Sequence, residues 1–104
     1  MIDVNDNTRR RIEALFGEDD RPRVTDLLLQ HCGDNLPLVD SSHRKLAERI
    51  RFAVLKLSGG NFDALVEQTQ NAAKDWRDCL VAAGFGDDTT AHLAWWPNMT
   101  PPDK

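Results

Sequence analysis

Apolar positions recur along this chain at three- and four-residue spacings, and no segment keeps up the period-two alternation of a strand. The first such pattern puts Ile12, Leu15 and Phe16 on one face of a short helix that Asn7 or Thr8 can cap and Gly17 ends. An acidic turn, Glu18-Asp19-Asp20, then leads into Pro22, a residue suited to a first helical position. Its carboxylates stand where the positive end of a helix dipole favours them. A second helix is predicted from about Pro22 to Cys32, with Val24, Leu27, Leu28 and His31 facing inward and Gly33 past its end.

Asp34 to Asp40 contains Pro37 and reads as a connecting loop, with Leu36, Leu38 and Val39 apolar enough to lie against the core. Asp40, Ser41 or Ser42 can cap a third helix. In it Leu46, Ala47, Ile50, Ala53, Val54 and Leu57 share one arc when each residue advances by about 100°. Phe52 and Leu55 lie off that arc, as a second apolar strip flanked by Glu48, Arg51 and Lys56. Two apolar sides mark the third helix as either central or part of an interface.

Ser58-Gly59-Gly60 closes it, and Asn61 caps the next. From about Phe62 to Ala83, the residues Phe62, Leu65, Val66, Thr69, Ala72, Ala73, Trp76, Cys79, Leu80 and Ala83 share a face, opposite Asp63, Glu67, Asn71, Lys74 and Asp78. This reads as one continuous, one-sided amphipathic helix. Gly84-Phe85-Gly86 ends it, Asp87 or Asp88 caps a short fifth helix through about Trp96, and Pro97 begins a tail. The fold class that follows is all-α: an irregular bundle of four to five helices, with one long amphipathic helix near the C-terminal half. That helix is expected to pack lengthwise on the third, with Trp76 buried at the contact.

A length of 104 residues favours one domain over residues 1–104, with 1–6 and 98–104 as frayed tails. The 40% apolar and 29% charged fractions are those of a globular chain, not a disordered one. Against 17 Asp and Glu stand 13 Lys and Arg, a formal charge of -4, which ranks nucleic acid and anionic membranes low as partners. Arg9-Arg10-Arg11 and Arg44, Lys45, Arg49, Arg51 and Lys56 are the residues available for phosphate contacts. The third helix, the glycine turn and the fourth helix resemble a helix-turn-helix in outline, but Asp63, Glu67, Asp75 and Asp78 on the outer face would repel a backbone. The start lacks a basic, apolar leader and no apolar run reaches membrane length, so the cytoplasm is the expected address.

Cys32 and Cys79 have no close-spaced partners and read as buried free thiols. His31, Cys32, His43, Cys79 and His92 lack the paired spacing of a zinc site, so no metal and no cofactor is expected. Asp3-Val4-Asn5-Asp6-Asn7 opens like a calcium loop but has Thr8 and Ala14 where glycine and the bidentate glutamate belong. Asn98-Met99-Thr100 matches a glycosylation acceptor by chance. His31 suits the negative end of the second helix, and His92, four residues after Asp88, suits a local charged pair. No nucleophile beside a base and no phosphate-binding glycine pattern emerges, so no catalytic residue is named.

A binding role remains: a small cytosolic interaction or regulatory module without catalytic activity, acting on another protein or on itself as a homodimer. Its candidate surface is Phe52 and Leu55, off the main arc, together with Trp95 and Trp96, whose indoles cannot both turn into one small core. The alternatives are a nucleic-acid-associated helical regulator and an enzyme whose site no motif reveals.

Overall fold

The structure, a computed structural model, describes residues 2–97. Its elements are α1 (Asp6–Leu15), α2 (Arg21–His31), α3 (Arg44–Ser58), α4 (Phe62–Ala83) and a 3-10 turn (Ala91–Ala94), with no strand among the described residues. The all-α bundle is as expected. Residues 98–104, read as a tail that includes the Asn98 acceptor pattern, lie outside the described residues, as does Met1.

Local capping explains most boundaries. Asn5 caps α1, its Oδ1 accepting from the Thr8 backbone N–H at 2.9 Å and the Thr8 hydroxyl at 2.8 Å. The helix therefore starts earlier than Asn7 or Thr8 would set it. α4 starts on Asn61, whose Oδ1 accepts from the Ala64 N–H at 2.9 Å. It ends at Gly84, which takes a left-handed φ of 85°. Asp40 caps a turn instead of α3 itself: its Oδ1 accepts from the Ser42 N–H at 2.8 Å, and the helix begins at Arg44.

α3 lies at the centre, with α4 along one side and α1 and the 3-10 turn on the other. Both apolar strips of α3 are consequently inside. Phe52 and Leu55 are each 0% exposed, which corrects the expectation that they form a surface. The Phe52 ring lies 4.9 Å from His92 and 6.2 Å from Trp95, centre to centre, with the Arg11 guanidinium 4.7 Å away.

Two expectations about α4 are also corrected. The helix has the expected ends, but Asp75 adopts φ −158° and ψ 91°, and its Oδ1 accepts from the Arg77 N–H at 3.1 Å. Asp75 thus ends one helical segment and caps the next. The bend brings Cys79 Sγ within 4.0 Å of Gln68 O across 11 residues, which a straight helix would separate by about 16 Å. Trp76, directly after the bend, is half-buried and donates its indole N–H to Pro37 O at 2.7 Å. It packs on the α2–α3 loop because a partly buried indole needs an acceptor. In that loop Leu36 and Val39 are buried, whereas Leu38 turns outward, 78% exposed at φ 66°.

Cationic side chains tie the ends of elements to the centre. Arg51, 1% exposed, donates to Ile2 O and Asp3 O at 2.6 Å, Cys32 O at 2.7 Å and Leu28 O at 3.3 Å. Residues 2–6 are therefore no frayed tail: Ile2 and Val4 are buried, and their backbone is clamped by Arg51. Lys56 reaches Ala83 O at 2.8 Å and Arg49 reaches Phe85 O at 2.7 Å, satisfying carbonyls at the end of α4. Arg11 donates to Leu93 O at 3.0 Å and Trp95 O at 3.2 Å. Those carbonyls answer an arginine, and the predicted fifth helix is reduced to one 3-10 turn.

Candidate binding cleft

The predicted surface residues do not come together on a surface. Phe52 and Leu55 are core, and Trp95 sits at the core edge, 6.5 Å from the Phe85 ring. Trp96 alone of the set is exposed, at 38%, with the Arg11 guanidinium 3.7 Å from its ring centre. Leu93, 43% exposed, is three residues before it, within the 3-10 turn.

Beside that turn, between it and the N-terminal half of α3, lies a cleft of about 440 Å³. Helical spacing places Lys45, Leu46, Glu48 and Arg49 along one side of it, and the chain from Thr89 to Leu93 forms the other. The two sides are joined by a contact that no local pattern encodes. His92, 3% exposed, meets Glu48 Oε1 through Nε2 at 2.8 Å, and Asn5 Nδ2 donates to Glu48 Oε2. Burial works to raise the Glu48 carboxyl, but the hydrogen bonds from His92 and Asn5 outweigh it and hold the group below its ordinary value. An ionised Glu48 can only accept, so the imidazole proton stands on Nε2. His92 therefore pairs with α3 and not, as its spacing suggested, with Asp88.

Two buried atoms of residues that line this cleft have no partner. Arg49 Nε and His92 Nδ1 are the buried side-chain polar atoms left without a hydrogen bond among the described residues, and both belong to residues lining the cleft. Leaving such a group unpaired costs about 1–3 kcal/mol, and native folds keep few of them. Asp88, at the foot of the 3-10 turn, is held below its ordinary pKa by the Thr90 backbone N–H and then by the Thr90 hydroxyl. Its Oδ1 accepts from both at 2.8 Å.

The remaining candidates are placed elsewhere. Cys32 and Cys79 are free and buried, and burial pushes the Cys32 thiol up to about 12. His31 is exposed at the end of α2, and the exposed His43 accepts the Asp40 N–H on Nδ1 at 3.0 Å. Among the described residues no cluster of three or more His, Cys, Asp or Glu side chains could hold a metal, and no helix is long and apolar enough to cross a membrane. No protein-family model, curated protein or solved structure matches the chain.

Proposed function

We propose that this protein works by binding, as a small cytoplasmic regulatory or interaction module, and that the cleft between α3 and the C-terminal turn is its recognition site. One observation carries the reading: the two buried side-chain polar atoms left unpartnered among the described residues, Arg49 Nε and His92 Nδ1, belong to residues of this one cleft. Arg49 is already fixed through Phe85 O and His92 through Glu48, so both side chains are held in place and lose little freedom on binding. Exposed Leu93 and Trp96 give a partner apolar area on the same turn. With Phe52 and Leu55 buried, the apolar residues left to meet a second copy of the chain are the exposed Leu38, Val81, Leu93 and Trp96. Two free thiols suit a reducing compartment.

Nucleic acid ranks lower because Arg11, Arg51 and Lys56 are spent on backbone carbonyls, and Arg9 pairs with Asp6 at 2.6 Å. The test is chemical-shift mapping with a fragment library. Binding fragments are expected to move resonances of residues 45–49 and 89–96. Saturable hits gathered at another surface, or none at all, would remove the reading.

A second reading has one specific observation behind it. A carboxylate that orients an imidazole through one nitrogen and leaves the other open is the arrangement of a general base. Cys32 is no nucleophile for such a base: it is fully buried, its carbonyl accepts from Arg51, and its high pKa makes the thiol inert. Turnover of activated esters that disappears in His92→Gln while the fold persists would favour catalysis over binding.

A further inference from the structure

We infer that the cleft takes a small organic oxyanion with a hydroxyl close to its charged head, the class to which short-chain hydroxy acids belong; this rests on the cleft being the recognition site. The acid that lines the cleft is already answered. Glu48 receives hydrogen bonds from His92 and Asn5, and Asp88, next along the chain from the lining residue Thr89, receives two from Thr90. Its cations are not. Arg49 uses Nη2 on Phe85 O and keeps Nε buried and unpaired, and Lys45 Nζ makes no ion pair or hydrogen bond among the described residues.

The missing partner for these donors is an acceptor, and two cations favour an anionic one, since charge-assisted hydrogen bonds are about twice as strong as neutral ones. His92 adds a second requirement. Its Nε2 serves Glu48 while Nδ1 is left without a partner, and a hydroxyl, which both donates and accepts, suits that nitrogen. A ligand that answers both sides offers an oxyanion to Arg49 and Lys45 and a hydroxyl to His92. Leu46 and Leu93 in the lining suit a short apolar body, and the volume of about 440 Å³ lies in the range of small-molecule sites.

The experiment is calorimetric titration, with chemical-shift mapping, of five probes: 2- and 3-hydroxyhexanoate, hexanoate, hexyl phosphate and hexanamide. They are titrated into the wild type, Lys45→Gln, Arg49→Lys and His92→Gln. One of the hydroxyhexanoates is expected to bind saturably and about tenfold more tightly than hexanoate, with hexanamide weaker by a further factor of about ten. Lys45→Gln, a change to an exposed side chain, should weaken the acids about tenfold and leave the amide unchanged. Arg49→Lys keeps the charge but loses Nε and should weaken the acids as well. His92→Gln can still donate to Glu48 and should erase the preference for the hydroxyl. Tighter binding of hexyl phosphate than of hexanoate supports the oxyanion and assigns its head to phosphate.

Equal affinity for hexanamide and the acids, or no effect of Lys45→Gln, overturns the oxyanion. Equal affinity for hexanoate and both hydroxyhexanoates overturns the hydroxyl. If every probe fails while other fragments occupy the cleft, this inference falls and the binding reading stands.

Discussion

Arg51→Met tests what holds the N-terminal segment, α2 and α3 together. The arginine donates to four carbonyls, those of Ile2, Asp3, Leu28 and Cys32, from a position 1% exposed. Methionine fills the stem and supplies no donor. Leu28 O keeps the Cys32 backbone N–H at 3.1 Å, and Asp3 O is only partly buried, so Ile2 O and Cys32 O are left as orphans. At about 1–3 kcal/mol each, their loss costs about 2–6 kcal/mol. Relief from holding a guanidinium out of water offsets part of this, leaving about 2–4 kcal/mol. That is a large share of the roughly 5–15 kcal/mol that stabilises a domain, and it corresponds to a fall in Tm of about 10–25 °C.

Urea unfolding followed by circular dichroism measures the stability, and hydrogen exchange at residues 2–5 measures the local effect. A loss below about 0.5 kcal/mol at unchanged m-value, with protection of residues 2–5 intact, would refute the reasoning, because a surface substitution does as little.

Further expectations concern acid, the bend and the thiol. Glu48 is held below its ordinary carboxyl value in the fold, so its contribution to stability is complete above the unfolded value near 4.5 and is lost as pH falls through the folded one. Glu48→Gln should flatten that acid limb; an unchanged limb would mean the His92 and Asn5 contacts are not made in solution. Asp75→Ala removes the cap inside α4 and is expected to cost about 0.5–2 kcal/mol, with faster exchange of the Arg77 amide, whereas a stabilised variant would argue for a straight helix. Cys32 should resist a thiol reagent in the native protein and react only on unfolding, given full burial and a pKa near 12; fast native labelling would place it at the surface.

Much of this protein was legible locally. The ends of α4 follow from Asn61 and Gly84, and the close of α3 from Gly59 at φ 61°, because a cap is a contact between residues a few positions apart. The spacing of apolar residues in α3 gave both strips correctly, but whether the second was covered depended on α1 and the 3-10 turn, which reach it from other parts of the chain. Asp75 had a local signal, a strong N-cap residue within a helical pattern, and uninterrupted periodicity outweighed it. Arg51 read as a phosphate-contact candidate because its acceptors are carbonyls, which every residue carries and no sequence position advertises.

The cleft was the least legible part. Glu48 and His92 are 44 residues apart, and neither neighbourhood marks the other. Local free energies of capping and amphipathic burial are written into adjacent residues, so the sequence by itself determined the helices. Pairing of distant polar groups depends on how those helices dock, and only the tertiary structure decided which polar groups were paired inside the protein and which, among the described residues, were left without a partner.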